Sequence, residues 1–312
     1  MKIVYMGTSE FAVPALENLI SNDYIVEKVV TQPDRRGNRG RIQISPVKEA
    51  ALKYGIEVLQ PDKIRTDDDF MSSLEELAPD LIVVAAFGQI LPGRVLDIPR
   101  LGCINIHGSL LPKYRGASPM QKAILDGVKV SGVTIMKMDE GLDTGDIISS
   151  REIKISGKDI FQVTEELSNA GADLLIDTIP HIINGTASYI KQDEDKASYT
   201  GLIKKTDGET DFGGNAYEEK NKMLAYIKWP VLHSYLNGKS VKFFDAEVGS
   251  EEEPVDFGTV IDIANDSFTI KCNGGSLIIK ELQLEGKKRM KAGDFLRGYN
   301  LKIGDRFTKK IN

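Results

Sequence analysis

Short, continuously apolar runs separated by amphipathic stretches organise the first half of this 312-residue chain. The runs cover residues 2–6, 25–31, 81–87, 102–106 and 132–138. Strands buried on both faces have this composition, because helices cover the two faces of a parallel sheet. Apolar residues at helical spacing over 10–21 and 117–125 predict two of those helices. The first half is therefore predicted to be an α/β domain with a doubly wound, mostly parallel sheet.

The second half of the chain has a different pattern of apolar and polar residues. A long helix is predicted over 160–184, where an Asn-Gly pair ends the apolar periodicity. The stretch 191–219 is polar, with few apolar side chains, which is typical of an interdomain linker. From residue 231 onward, short β-branched segments alternate with turn pairs, a pattern that predicts a small antiparallel β-barrel. We divide the chain into an N-terminal domain (1–190), a linker (191–206) and a C-terminal domain (207–312).

Composition excludes several classes of protein. Lys and Arg number 40 against 46 Asp and Glu, a net charge of −6, so any contact with a polyanion must be local. No apolar run approaches the ~18 residues of a membrane span, and the N-terminus lacks a signal peptide, so we expect a cytoplasmic protein without membrane contact. The two distant cysteines, Cys103 and Cys272, are expected to be core thiols, and we expect no metal site.

The first strand and its following turn do not fit a dinucleotide site. Residues 7–12 read GTSEFA, which lacks the second and third glycines that let a backbone approach a pyrophosphate. We therefore expect no nicotinamide cofactor.

One histidine stands out among the three in the chain. His107 ends an apolar strand, and its spacing from Asn105 places both polar side chains on one face of that strand. Polar groups there are costly to bury, and ligands bind at the carboxyl ends of strands in open α/β sheets. An acidic, Gly-rich turn at 139–146 could supply a carboxylate partner. His181 and His233 are expected to be structural or exposed.

These residues form part of a longer motif. Asn105-x-His107-x-Ser109-Leu110-Leu111-Pro112, followed by Asp143-Thr144-Gly145, resembles the active-site signature of the formyltetrahydrofolate-dependent formyltransferases. Further segments at 7–12, 31–35, 45–48, 88–92, 132–136 and 229–230 extend the similarity over essentially the whole chain. The resemblance implies a Rossmann-like N-terminal domain and a C-terminal barrel of the oligonucleotide-binding type.

The resemblance also implies a reaction and a set of site residues. The reaction is transfer of the formyl group of 10-formyltetrahydrofolate to the α-amine of methionine on initiator tRNA. Asn105, His107 and Asp143 would be catalytic, and Phe11 is a candidate for the methionine pocket. The residues expected to bind the folate co-substrate are Phe87, Gly88, Gln89, Ile90, Leu91, Pro92, Ser109, Leu110, Leu111, Pro112, Asp139, Glu140, Gly141 and Leu142.

Two segments have the local positive charge that RNA binding requires. Residues 33–48 carry five basic side chains against one acidic, and their glycines predict a mobile loop. Residues 280–312 carry ten Lys and Arg against four Asp and Glu, a net charge of +6. The predicted tRNA contacts are Arg35, Arg36, Arg39, Arg41, Lys287 and Lys288. We expect the protein to be a monomer.

Three alternatives share parts of this pattern. A formyltransferase acting on an amino sugar nucleotide or a small ribonucleotide would need the same three polar residues but not the basic segments. A hydrolase that releases formate from the folate would have a similar second domain. A non-catalytic RNA-binding module would not need polar groups converging at a buried strand end. The basic segment with Ser45-Pro46-Val47-Lys48 favours the tRNA substrate.

Overall fold

The protein is described by a computed structural model covering residues 1–36, 42–250 and 253–310. The chain divides into two compact units. The first contains Met1–Pro119, Val130–Lys154 and Thr164–Thr200. The second contains Met120–Lys129, Ile155–Val163 and the chain from Gly201 onward. The division at residues 200 and 201 falls within the stretch predicted as a linker.

A mixed sheet forms the centre of the first unit. The strands of this part of the chain are β1 (Lys2–Gly7), β2 (Ile25–Val30), β3 (Arg35–Arg36), β4 (Ile42–Gln43), β5 (Glu57–Leu59), β6 (Leu81–Ala85), β7 (Cys103–His107), β8 (Arg115–Gly116), β9 (Val130–Lys137), β10 (Ile147–Lys154) and β11 (Tyr199–Thr200). The central sheet has the order β10-β9-β7-β6-β1-β2-β5. The strands β5, β2, β1, β6 and β7 pair in parallel, whereas β9 pairs antiparallel with both of its neighbours, β7 and β10. The predicted doubly wound, mostly parallel sheet is confirmed.

Helices follow the apolar patterns in the sequence. They are α1 (Val13–Ser21), α2 (Pro46–Lys53), α3 (Asp68–Leu77), α4 (Gly93–Leu96), α5 (Pro119–Leu125) and α6 (Ile160–Ile183). Ser45 begins α2, because its hydroxyl accepts a hydrogen bond from the Lys48 backbone N–H. In α6, Leu167, Leu175 and Ile179 recur at helical spacing and are fully buried. The predicted helices at 10–21, 117–125 and 160–184 are present, with ends shifted by a few residues.

An antiparallel sheet forms the second unit. Its strands are β12 (His233–Leu236), β13 (Lys239–Gly249), β14 (Val260–Ile263), β15 (Phe268–Lys271), β16 (Ser276–Leu284) and β17 (Met290–Lys291), and its helices are α7 (Ala216–Tyr226) and α8 (Ala292–Gly298). The strand order is β12-β13-β16-β15-β14, with β17 paired to β16. Four fully buried rings, those of Phe212, Phe243, Phe268 and Phe307, contact one another in its core.

The end of the chain curls this sheet into a barrel. Tyr235 of β12 exchanges two backbone hydrogen bonds with Thr308, at 2.9 and 3.0 Å. On the opposite edge, the Val260 N–H of β14 donates to the Asp305 carbonyl at 2.8 Å. Because both edge strands bond to the segment 304–308, neither edge is left open there. The predicted small antiparallel barrel is confirmed.

The polar stretch 191–219 contributes buried side chains to the second unit, which its linker-like composition did not predict. Phe212 and Glu219 are both fully buried in the second unit. The Glu219 carboxylate accepts hydrogen bonds from the Thr210 hydroxyl at 2.8 Å and the Gly214 N–H at 3.2 Å. Sequence reading missed this part of the core because the segment is polar on average, and its few buried side chains are widely spaced.

Two further expectations concern the cysteines and the membrane. Cys103 and Cys272 are buried free thiols, as predicted, and burial raises the pKa of each to about 12. Over residues 1–36, 42–250 and 253–310, the helices are too short or too polar to cross a membrane.

Candidate active site

Strand β7 carries the two polar side chains that the sequence singled out. Its apolar residues Ile104 and Ile106 are buried. A Cβ atom added to Gly171 of α6 would lie 2.8 Å from the Ile106 side chain, so the helix approaches that face of the strand closely. Asn105 and His107 alternate with these residues and therefore project from the opposite face. Strand β7 therefore packs against α6 with its apolar face and carries Asn105 and His107 on the other face.

Hydrogen-bond acceptors lie near both ring nitrogens of His107. Nε2 is 3.0 Å from the Tyr114 carbonyl oxygen, and Nδ1 is 3.7 Å from Oδ1 of Asp143. A carbonyl can only accept, so Nε2 donates to Tyr114. The ring can donate toward Asp143 as well only when both nitrogens carry hydrogen. With Nε2 as the donor to Tyr114, the ring turns its Nδ1 edge toward the Asp143 carboxylate.

The Asp143 side chain is held by the chain that follows the histidine. Its Oδ2 accepts a hydrogen bond of 2.7 Å from the Gly116 N–H, and the carboxylate is only 16% exposed. The residue has a positive φ of 55°, an unusual conformation for a side chain other than glycine. Two residues later, a Cβ on Gly145 would collide with the Lys137 carbonyl, so glycine is required there. The structure brings Asp143 to His107, as predicted.

Asn105 is half-buried on the same face of β7. Within the described ranges its side-chain amide makes no hydrogen bond to the protein, and the side chain is partly exposed to solvent. An unpaired amide N–H beside an imidazole is a preformed donor for an oxygen of a bound substrate.

The loop at 87–92 follows β6, and hydrogen bonds to neighbouring segments hold it in place. The Phe87 carbonyl accepts hydrogen bonds from the Thr8 hydroxyl at 2.9 Å and the Gln32 amide at 3.3 Å. The Gln89 side chain donates a hydrogen bond from Nε2 to the Pro61 carbonyl at 3.0 Å and accepts one at Oε1 from the Ile64 N–H at 2.8 Å. Within the described part of the chain, the backbone groups of 88–91 have no hydrogen-bond partner. The loop is therefore fixed while its own backbone polar groups stay available to a ligand.

The turn at 139–142 lies against the end of that loop. A Cβ added to Gly93 would lie 2.4 Å from Oε1 of Glu140, so the end of this exposed side chain lies beside the loop. Asp139 Oδ1 accepts hydrogen bonds from the Gly141 N–H at 3.0 Å and the Thr144 hydroxyl at 2.7 Å, so its charge stabilises the turn. Leu142 is 52% exposed and Ile90 is 63% exposed. These two apolar side chains can contact a flat, partly apolar ligand without rearrangement of the core.

The segment 109–112 turns inward. Ser109 is fully buried, and its hydroxyl donates to the Lys113 carbonyl at 2.6 Å. The Leu111 N–H donates to the Thr134 hydroxyl, and Leu110 lies against Gly132, where a Cβ would not fit. These contacts fix the path of the chain from His107 to Gly116. The prediction that residues 109–112 contact folate stays open, as does that for Phe11, which is 5% exposed.

The first basic segment is a hairpin at its base. Strands β3 and β4 pair Arg35 with Gln43 and Arg36 with Ile42, so these four residues of the predicted loop form paired strands. Arg39 and Arg41 lie outside the described residues. Lys48 does not add to the free positive charge, because its Nζ is 2.6 Å from Oδ2 of Asp34. Hydrogen bonds from Lys48 and from Gln60 hold the pKa of the Asp34 carboxyl below its usual value.

The second basic segment retains some unpaired lysines. All three of its arginines, Arg289, Arg297 and Arg306, and several of its lysines have a carboxylate partner. Lys287 and Lys288 lie exposed in the turn between β16 and β17, and neither has a carboxylate within 4.0 Å among residues 1–36, 42–250 and 253–310. These two side chains are available to a phosphate backbone. Within the same ranges, His, Cys, Asp and Glu side chains form no cluster suited to a metal ion.

Comparison with known proteins identifies the family of the chain. The formyl transferase family profile matches residues 1–180, and that of its C-terminal domain matches 202–300. The methionyl-tRNA formyltransferase of Lachnospira eligens is 44% identical over 97% of this chain and 98% of its own. That of Bacillus velezensis is 45% identical over 97% of this chain and 96% of its own. Among solved structures, an N-formyltransferase from Helicobacter canadensis with folinic acid and dTDP-3-aminofucose has a TM-score of 0.67 at 23% identity, covering 89% of this chain and 98% of its own.

The fold and site thus define an enzyme that transfers one-carbon groups. The chain belongs to the formyl transferase family and, within it, to the group of methionyl-tRNA formyltransferases. Enzymes of this family use 10-formyltetrahydrofolate as the formyl donor.

Proposed function

We propose that this enzyme transfers the formyl group of 10-formyltetrahydrofolate to the α-amine of methionine on initiator tRNA, and that Asn105, His107 and Asp143 perform the chemistry. The observation that carries this assignment is the convergence of an unpaired amide, an imidazole and a carboxylate on one side of β7. The identity of 44–45% with methionyl-tRNA formyltransferases over nearly the whole chain supports the acceptor. We further propose that the enzyme acts as a monomer in the cytoplasm.

The reaction requires the site to handle charge at two atoms. The amine nitrogen forms a bond to the formyl carbon, and the carbonyl oxygen gains negative charge. The bond from the formyl carbon to N10 of the folate then breaks. The amine nitrogen loses one proton and N10 gains one, so the overall reaction conserves protons. No covalent intermediate with the protein is needed, which agrees with a site that contains an amide, an imidazole and a carboxylate.

Asn105 donates its amide N–H to the developing oxyanion. His107, as an imidazolium, adds a positive charge close to the same oxygen, and the neutral ring can take part in moving the proton of the amine. Asp143 orients the ring and stabilises its charged form across 3.7 Å. The backbone polar groups of 88–91 would bind the folate, and the exposed side chains of Ile90 and Leu142 would provide apolar contacts to it.

The tRNA contacts are proposed from charge and exposure. Arg35, Arg36, Arg39 and Arg41 are proposed to contact the acceptor end of the tRNA, because they concentrate positive charge in one short segment. Lys287 and Lys288 contact the phosphate backbone from the second unit, because their charges are exposed and have no carboxylate partner in the described chain.

A charge reversal tests the second of these surfaces. The variant K287E/K288E is expected to weaken tRNA binding and to reduce the slope of log affinity against log salt by about one for each lost phosphate contact. Its KM for the folate should not change. The control K53E/K122E makes the same change in net charge at two exposed lysines, each of which has a carboxylate one helical turn away. Equal losses in both variants, or a loss of folate binding, would contradict the assignment.

The acceptor is tested directly by a formylation assay. The enzyme is incubated with 10-formyltetrahydrofolate and, separately, charged initiator tRNA, charged elongator methionine tRNA, an amino sugar nucleotide or no acceptor. Formyl-methionine on the initiator tRNA alone is the expected result. Formylation of the sugar, or release of formate without an acceptor, would keep the chemistry of the three residues and refute the proposed substrate.

A further inference from the structure

A glutamine in the stretch predicted as a linker makes four hydrogen bonds within the first unit. The Gln192 Nε2 group donates to the carbonyls of Asp143 and Gly145, at 2.8 and 2.7 Å. Its Oε1 accepts from Nε and Nη2 of Arg115, at 3.0 and 2.9 Å. A primary amide has two N–H donors and two acceptor positions, so every hydrogen-bonding position of this side chain is used. Gln192 is therefore fixed in orientation.

The acceptor side of Gln192 binds Arg115, whose two neighbours in the chain contact His107 and Asp143. Arg115 is fully buried. The residue before it, Tyr114, provides the carbonyl that His107 contacts, and the residue after it, Gly116, provides the N–H that Asp143 accepts. A displacement of Arg115 would consequently move both contacts together.

Arg115 has further partners from the same stretch of chain. Its Nη1 and Nη2 donate to the two oxygens of the Glu194 carboxylate, at 2.9 and 2.8 Å. The guanidinium also donates to the Tyr199 hydroxyl at 2.9 Å. Loss of Gln192 alone would therefore leave the Arg115 guanidinium paired with Glu194. A Gln192 variant thus tests the effect on the Asp143 turn without burying an unpaired charge.

On its donor side, Gln192 holds the turn that carries Asp143. Asp143 has a φ of +55°, in the left-handed region, so the direction of its side chain depends on the path of this turn. Gln192 binds the carbonyl of this residue and that of Gly145, which together span the turn. No other side chain among the described residues donates to either carbonyl.

We infer that Gln192 is a positioning residue for formyl transfer: by binding the Asp143 and Gly145 carbonyls and Arg115 at once, it keeps the Asp143 carboxylate directed at His107. The inference rests on the proposed roles of His107 and Asp143. It assigns to residue 192 a part in the active site, although its segment has the composition of a linker.

Kinetics of two variants test this role. Gln192→Leu is expected to lower kcat by about 10- to 100-fold, because a carboxylate displaced by an ångström no longer orients the imidazole. The KM values for folate and tRNA should change by less than about twofold, because the side chain contacts neither substrate in this assignment. Gln192→Glu keeps an acceptor for Arg115 but directs a carboxylate at two carbonyls. It should lose as much kcat as the leucine variant, and activity like that of the wild type would overturn the inference.

A double-mutant cycle distinguishes positioning from a general structural role. In an Asp143→Ala background, Gln192→Leu should lower kcat by less than about twofold, because the group it positions is absent. Losses that multiply would show that Gln192 acts elsewhere and would overturn the inference. The control Gln162→Leu removes an exposed glutamine at the start of α6 and should leave kcat unchanged in both backgrounds.

A spectroscopic measurement tests the same inference without activity. The chain has only three histidines, so the side-chain nitrogen resonances of His107 can be resolved from those of His181 and His233 by NMR. Gln192→Leu should shift the His107 resonances and leave the other two in place. Unchanged His107 resonances would overturn the inference. If the wild-type enzyme formylated no tRNA while these shifts occurred, the proposed function would fail and the positioning role of Gln192 toward His107 would stand.

Discussion

Replacing His107 by alanine is expected to lower kcat for formyl transfer by at least ~10²-fold, or about 2.7 kcal/mol of transition-state stabilisation. The ring lies between the Tyr114 carbonyl and the Asp143 carboxylate, and both are acceptors. Alanine removes the ring that contacts both acceptors and that is proposed to move the proton of the amine. Single-turnover formylation of charged initiator tRNA at saturating folate measures the loss without interference from product release.

A matched histidine separates this effect from loss of the fold. His181 is exposed near the end of α6, where its Nδ1 contacts the Thr186 hydroxyl at 3.1 Å. His181→Ala should leave kcat unchanged, and the thermal midpoint of His107→Ala should stay within a few degrees of the wild type, because the Asp143 carboxylate keeps its hydrogen bond from the Gly116 N–H. Unchanged turnover in His107→Ala would refute the role of the imidazole.

The second large effect is expected at Asn105. Asn105→Ala should lower kcat by about 10²- to 10³-fold, the range for loss of one preorganised donor to a developing oxyanion. The amide has no partner in the described chain, so its removal leaves no protein group without its hydrogen bond. Stability should therefore change little while kcat falls. Burst and steady-state formylation rates, with the KM for each substrate, measure the effect.

An isosteric variant sharpens this test. Asn105→Asp keeps the shape of the side chain but places a negative charge where the oxyanion forms. Its kcat should be lower than that of Asn105→Ala, because repulsion is added to the loss of a donor. If the aspartate variant were instead more active than the alanine variant, the amide would not act as an oxyanion donor, and the proposed role would be wrong.

The sequence predicted the local parts of this site well. The continuous apolar runs predicted the strands of the central sheet, because burial on both faces demands apolar residues at every position. The spacing of Asn105 and His107 predicted their common face, because side chains alternate along a strand. Both properties depend on the chain within a few residues of each position.

Charge was predicted less well than periodicity. Lys48 was counted toward the basic surface, yet in the folded chain it binds Asp34, from a segment 14 residues earlier. Arg289 and Arg306 are similarly paired with Glu281 and Asp256. A sum over a segment cannot show which charges neutralise each other, because pairing depends on distances across the fold. Exposure and the absence of a partner leave Lys287 and Lys288 as the sharper candidates.

The sequence by itself determined the elements, the order of the two domains and the residue types that formyl transfer requires, because these follow from periodicity and short motifs. Only the tertiary structure decided what holds those residues in place. Gln192 lies 49 residues from Asp143 and 77 from Arg115, in a polar stretch with no distinguishing pattern. Its role arises from hydrogen bonds between segments that are distant in the sequence, and a hydrogen bond depends on distance and angle in space, which no local pattern encodes.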